Sequence, residues 1–137
     1  MQRRSNARIS MGRSTSSSKQ QASDGIGKGY AMDNLCSVVI RLAELVGYQA
    51  GAVVSREIMK GSAGTVSVFA FDVGEGLSEH TAPFDAMVTV LEGEAEIVIS
   101  GKPFAVGEGE TIVMPAGQPH SLKAVDRFKM LLTLIRS

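Results

Sequence analysis

The chain has 137 residues, 44% of them hydrophobic, and its 14 Lys and Arg residues balance 14 Asp and Glu residues. This length fits about one domain, and no apolar run approaches the roughly 20 residues of a membrane-spanning helix, which excludes that class of protein. The single cysteine, Cys36, excludes an internal disulfide and a thiolate metal cluster. We therefore expect a soluble, cytoplasmic protein in which Cys36 is a small apolar filler.

The N-terminal segment differs in charge from the rest of the chain. Residues 1–23 carry five basic side chains and no acidic one, so the remaining nine basic residues face all fourteen acidic ones. Because Ser, Arg and Gln dominate this segment, we predict a disordered tail at residues 1–31 and one domain at residues 32–137. A transit peptide and a start codon placed too far upstream of Met32 are the alternatives. Without interleaved aromatic residues, the tail does not predict a nucleic-acid partner.

The predicted elements that follow are almost all strands. RLAEL (Arg41 to Leu45) reads as about one helical turn. A tight hairpin turn is predicted at Ser100-Gly101, between IVIS and KPFAV, because glycine accepts the positive φ of such turns. The remaining runs alternate with a period of two and are rich in β-branched residues, which predicts an all-β antiparallel sandwich or barrel. These runs are AVVSREIM (52–59), TVSVFAF (65–71), MVTVLEG (87–93), EAEIVIS (94–100), ETIVMP (110–115) and FKMLLTLI (128–135).

Two spaced motifs frame the second half of the chain. The first has a glycine, a histidine six positions later and a second glycine thirteen positions after the histidine; the second has a glycine, proline, glycine and histidine. Their positions are Gly74, His80, Ala82, Ala86 and Gly93, then Gly109, Pro115, Gly117, His120 and Ala124. On these spacings the chain resembles the cupins, and the resemblance covers residues 32–137. It implies an antiparallel jelly-roll β-barrel with little helix.

The frame residues have mechanical reasons for their positions. We expect Gly93 and Gly109 at turns, where the missing Cβ lets the backbone reverse. Pro115 is expected to end a strand because it lacks a backbone donor, and Gly117 to allow the bend that returns His120 to the barrel.

The resemblance also implies a metal site that this chain has partly lost. In metal-bearing cupins, two histidines, a glutamate and a later histidine hold one divalent ion. Here Ala82 and Ala86 replace one histidine and the glutamate, so only His80 and His120 remain as metal-ligand candidates. Two imidazoles alone bind Zn, Fe, Mn or Ni weakly. Asp85 completes the set only if a bulge turns it inward, and its alternative role is on a solvated face or in a capping turn.

The rest of the predicted cavity is apolar. Its alternating-face candidates are Phe84, Val88, Val90, Met114, Met130 and Leu132. We predict a small-molecule site formed by His80, His120, Phe84, Met114 and Met130, because barrel mouths are common ligand sites. The alternatives are that the histidines are hydrogen-bonded polar groups without a ligand and that the methionines only fill the core.

Three function classes stay open at this point. One is a binding module for a small molecule, with or without a weakly held metal. The second is a metalloenzyme of the isomerase or oxygenase type, which uses His80, His120 and an unidentified third ligand. The third is an assembly role. A homodimer is expected in each class, because a jelly-roll sheet with an unpaired edge needs cover, and AVVSREIM (52–59) is the candidate edge.

Overall fold

The computed structural model describes residues 35–136, and the predicted tail at residues 1–31 lies outside them. A 3-10 turn at Leu42–Glu44 occupies the predicted helical fragment, and eight strands follow it. No helix among the described residues is long and apolar enough to cross a bilayer. The strands are β1 (Val53–Gly61), β2 (Gly64–Phe71), β3 (Gly76–His80), β4 (Phe84–Ile99), β5 (Lys102–Gly107), β6 (Thr111–Met114), β7 (His120–Lys123) and β8 (Phe128–Arg136).

The strands form an antiparallel jelly-roll barrel in which β4 belongs to both walls. The strand order is β1-β2-β8-β4-β7-β3, and β5 and β6 also pair with β4. The first part of β4 pairs with β6 and β8, and the second part pairs with β5 and β7. All of AVVSREIM except Ala52 lies in β1, which is at one edge of this order. The expectation of two strands separated by a turn at Gly93 is wrong, because β4 runs unbroken through that residue.

Gly93 instead serves a bend inside β4. The pairing of β4 with β8 shifts register between Val90 and Glu92, and Gly93 has a φ of 80°. A Cβ at Gly93 would overlap the carbonyl oxygen of Arg127, which precedes β8. A bulge of this kind bends a strand and increases its twist. The buried positions change from even to odd numbers across it: Ala86, Val88 and Val90 before, Ala95, Ile97 and Ile99 after.

The other frame residues act as expected. Gly109 has a φ of 82° in the turn between β5 and β6. Ser100 and Gly101 have φ values of 50° and 81° and join β4 to β5 as a two-residue hairpin, which matches the turn with two positive φ values. Pro115 follows the last residue of β6, and Gly117 has a φ of 81° in the loop before β7.

The barrel is filled by a single large apolar cluster. At its centre the rings of Phe71 and Phe128 stack with centroids 4.4 Å apart, and both side chains are fully buried. A second, smaller cluster forms on the outside of β2, where Leu45 and Val46 pack with Val68 and Ala70. The segment before β1 therefore covers part of the outer surface of the barrel.

Polar contacts hold the same segment against the barrel. The hydroxyl of Tyr48 donates to Oε1 of Glu92 over 2.7 Å, and Nζ of Lys129 donates to the carbonyl oxygen of Ala43. The burial of the Tyr48 side chain, together with its bond to Glu92, raises the pKa of its hydroxyl, so Tyr48 stays a neutral donor. The prediction that Cys36 is a buried filler is wrong: Cys36 is exposed and its thiol is free, whereas its neighbour Leu35 packs against the outer cluster.

A buried carboxylate fixes the entry to β1. Asp72 accepts hydrogen bonds from the backbone N–H of Gly51 at 2.7 Å and from Nε of Arg127 at 3.0 Å. The Gly51 bond and then the Arg127 bond hold the pKa of Asp72 below its usual range. Asp72 is therefore ionised at neutral pH and ties the start of β1 to the loop before β8.

Candidate functional site

The two histidines meet across the pairing of β3 with β7. His80 ends β3 and His120 begins β7, and they are register partners in this antiparallel pair. Their ring centroids are 4.4 Å apart, with the planes inclined at 66°. His120 is only 6% exposed, whereas His80 is exposed at the rim. The pair therefore extends from the solvent into the barrel.

Both rings are held in the same way by their own backbone. Nδ1 of His80 lies 2.8 Å from the carbonyl oxygen of Ser78, and Nδ1 of His120 lies 3.1 Å from that of Gln118. A carbonyl oxygen only accepts hydrogen bonds, so Nδ1 carries the hydrogen in each ring. In the neutral tautomer this leaves the lone pair of each Nε2 free to accept a hydrogen bond or to bind a metal, an arrangement usual for ligating histidines.

Two further contacts join the loops that carry the histidines. The backbone N–H of Gly117 donates to the carbonyl oxygen of Ala82 over 2.9 Å. The neighbouring N–H of Ala116 donates to Oδ1 of Asp85 over 2.9 Å. The inward rotation of Asp85 that would complete a metal site is therefore not observed, because the exposed Asp85 carboxylate caps the opposing loop instead.

A cavity of about 160 Å³ lies inside the barrel beside the two rings. Of the predicted site residues, Phe84, Met114 and Met130 line it together with His80 and His120. Val88 and Val90 are on the same face of β4 but are fully buried in the core. The remaining wall residues are Leu77, Ala82, Ala86, Leu122, Leu132 and Leu134.

Because Ala82 and Ala86 occupy two of the expected ligand positions, the cavity lacks the third histidine and the carboxylate that would hold a divalent ion. They are wall residues, and their methyl groups have no lone pair to give to a metal. Residues 35–136 contain no group of three or more His, Cys, Asp or Glu side chains that could hold a metal ion. Two imidazoles without a carboxylate do not fit the catalytic or structural sites in which Zn²⁺ or Fe²⁺ is usually held.

Some wall residues were not identified from the sequence. Leu77, Leu122 and Leu134 line the cavity, yet only Leu134 lies in a long alternating run. β3 and β7 have five and four residues, which is too short for a clear period of two. Identifying Leu77 and Leu122 as wall residues requires the register between β3 and β7. In that register the two leucines are partners, as the two histidines are.

Comparison with models of known protein families identifies a family for half of the chain. Residues 67–135 match the family model described as the cupin domain. Among curated proteins, a 58-residue stretch is 36% identical to the dimethylsulfoniopropionate lyase DddQ of Ruegeria pomeroyi. That match covers 42% of this chain and 29% of the lyase, so less than a third of the lyase is represented.

Solved structures match over more of the chain. A conserved protein of unknown function from Streptococcus pyogenes is 40% identical, with a TM-score of 0.71, and the match covers 74% of this chain and 89% of that one. A cupin 2 conserved barrel domain protein from Leptotrichia buccalis is 44% identical, with a TM-score of 0.68; here the coverage is 69% and 46%. At 15% identity, a predicted oxalate decarboxylase from Thermotoga maritima shares the fold, with a TM-score of 0.59.

Proposed function

Because the chain belongs to the cupin family, we propose that it binds a small organic molecule inside its barrel and holds the polar group of that molecule at His80 and His120. The observation that carries this function is the pair of rings at the mouth of an apolar cavity. Both rings line the cavity, and each has its Nδ1 hydrogen directed to a backbone carbonyl. Each free Nε2 is then an acceptor for a ligand that carries a proton.

The dimensions of the cavity limit the ligand. At about 30 Å³ per water molecule in the liquid, 160 Å³ corresponds to roughly five waters. A short hydroxy acid fits such a space, with its alcohol O–H, which stays protonated at neutral pH, toward the rings and its carbon atoms toward Met114 and Leu132. The lyase from Ruegeria pomeroyi, whose name specifies a propionate derivative as substrate, is consistent with a small acid.

The metalloenzyme alternative lacks a third ligand. Neither Asp85 nor Glu79, the acidic residue directly before His80, lines the cavity, and the Asp85 carboxylate already accepts a backbone hydrogen bond. We therefore propose binding rather than metal-assisted catalysis with a hard divalent ion.

Ligand binding can be tested by NMR with short-chain carboxylic and hydroxy acids. We expect millimolar affinity, about −4 kcal/mol, and shifts of the amide signals in β3, β6 and β7. His120→Asn keeps a donor near Nδ1 but removes Nε2, and it should weaken binding about tenfold, the effect of losing one hydrogen bond of about 1.4 kcal/mol.

Two controls separate the cavity from the surface. Ala82→Leu fills the mouth, keeps both histidines and should abolish the shifts, whereas Val113→Ala changes an outer side chain that is 55% exposed and should leave them intact. Equal binding by all four proteins, or no shift with any acid at millimolar concentration, would contradict the proposed site.

We also propose that the protein forms a homodimer. β1 is an edge strand, and Met87, Val113 and Ile135 are exposed apolar side chains on neighbouring strands of one wall. Exposed apolar clusters of this kind mark protein contacts. Light scattering after size exclusion should give a dimer at micromolar concentration, and Val113→Lys should shift it toward the monomer. A wild-type monomer at that concentration would contradict the dimer.

A further inference from the structure

We propose that the cavity is a binding site for a soft monovalent metal ion, Cu(I), held by Nε2 of His80, Nε2 of His120 and the thioether of Met114. Met130 is a second thioether on the same wall. Thioether ligands favour Cu(I) and imidazole ligands accept copper among other metals, whereas carboxylates favour harder divalent ions. The loss of the carboxylate position therefore changes the kind of metal that the site suits.

Met114 lies directly across the strand pair from Ala86, which occupies the position of the missing carboxylate ligand. It is the register partner of Ala86 in the pairing of β4 with β6, and both residues line the cavity. Directly opposite side chains have Cβ atoms about 4.5–5.5 Å apart, and the flexible Met114 side chain is longer than this separation. It can cover the methyl group of Ala86 and direct its sulfur toward the rings. Met114 is only 2% exposed, so its sulfur is confined to the barrel interior.

The electrostatics of the cavity favour a single positive charge. No Asp or Glu side chain lines it, so every candidate ligand is neutral. The desolvation free energy of an ion that enters an apolar interior rises with the square of its charge. Without a carboxylate in the cavity, no negative charge offsets this free energy for a divalent ion. Cu(I) also accepts two or three ligands, which is the number that His80, His120 and Met114 provide.

The rings are already prepared for such an ion. Each Nδ1 hydrogen bond to a backbone carbonyl fixes the tautomer that leaves Nε2 available, as in established metal sites. His120 is 6% exposed, and no hydrogen bond to its Nε2 is found among the described residues. A buried polar atom without a partner needs an explanation, and a metal ion or a ligand proton supplies one. The exposed ring of His80 gives the ion a route from solvent.

Copper binding uses the cavity of the proposed function but does not depend on the organic ligand. The two are separable, because a hydrogen-bonded acid needs the two nitrogen atoms and only space from Met114. Met114→Leu keeps the apolar volume and removes the sulfur; its copper affinity is measured without any acid, and its acid titration is measured without metal.

The experiment measures Cu(I) affinity anaerobically, in competition with the chromophoric chelator bicinchoninate. The full chain carries Cys36→Ser throughout, because the exposed free thiol of Cys36 would itself bind Cu(I). We expect one ion per chain and at least tenfold weaker binding after Met114→Leu or His120→Asn. Met87→Leu is the matched control, since Met87 lies on the outer face of β4 and is 39% exposed, and its affinity should equal that of the parent.

A second measurement identifies the ligands without mutation. Ag(I), a redox-inert substitute for Cu(I), should shift the ε-methyl signal of Met114 in a methionine-labelled sample and leave that of Met87 unchanged. Equal copper affinity in the Met114→Leu and Met87→Leu proteins, absence of binding, or Zn²⁺ binding as tight as that of Cu(I) would overturn the soft-metal site. Retained copper binding with no response to any small acid would refute the organic ligand alone.

Discussion

Replacing Ala82 with His and Ala86 with Glu is expected to give tight binding of a hard divalent ion. Both residues already line the cavity beside His80 and His120, so the double change adds one nitrogen ligand and one carboxylate to the existing pair. The bound Zn²⁺ or Mn²⁺ would then have four protein ligands, the usual number in a closed zinc site. We expect affinity at least about a hundredfold above the parent, or about 2.8 kcal/mol.

The metal-free double variant should be less stable than the parent. Ala86 is 4% exposed, and a carboxyl group placed there without a partner costs about 1–3 kcal/mol or takes up a proton. Calorimetric titration and metal analysis measure the gain, and thermal unfolding with and without Zn²⁺ measures the linkage. The single Ala82→His change is the control, because it adds a nitrogen ligand without the charge. Equal Zn²⁺ affinity in the parent and the double variant would refute the placement of the alanines at the former ligand positions.

Gly93→Ala is expected to cost about 3 kcal/mol or more of folding free energy. An L-residue at a φ of 80° costs about 1–2 kcal/mol. The new Cβ would also meet the carbonyl oxygen of Arg127 and the Cα of Phe128, both backbone atoms that move only if β8 moves. Urea unfolding of the parent and the variant gives the difference in unfolding free energy, provided that the dependence of this free energy on urea concentration is the same for both proteins.

Gly109→Ala is the matched variant for this effect. Gly109 has a φ of 82°, but no atom lies within 4 Å of a Cβ built there. It should therefore lose only the conformational part, about 1–2 kcal/mol. Equal losses in the two variants would show that the close approach of β8 to β4 does not matter for stability.

Local sequence patterns predict the strands of this fold, whereas contacts between distant strands decide how the strands continue and bend. Two-residue alternation predicted a sandwich or barrel, the resemblance carried by the motif spacing identified the barrel, and the predicted ends of β6 and β8 lie within one residue of the observed ones. Alternation and motif spacing could not reveal that β4 continues through Gly93, because a glycine between two alternating runs is typical of both a turn and a bulge. The carbonyl of Arg127 beside Gly93 decides between them, and it comes from a distant part of the chain.

The same distinction applies to the candidate site. The joint position of His80 and His120 follows from the motif frame, but the Nδ1 contacts with Ser78 and Gln118 depend on backbone geometry two residues away. The role of Asp85 depends on the opposing loop, whose Ala116 N–H it accepts. The sequence shows the residue types at the cavity, whereas the tautomers and the capping contact require coordinates.

The participation of β4 in both walls has a consequence for how molecules reach the interior. One unbroken strand, β4, is hydrogen-bonded into each wall. The two walls therefore cannot separate unless the hydrogen bonds between β4 and its neighbours break. We expect a bound molecule to enter and leave at the end where β3 pairs with β7 alone and His80 is exposed. On this expectation, fraying of the short strand β3 would set how long the molecule stays in the barrel.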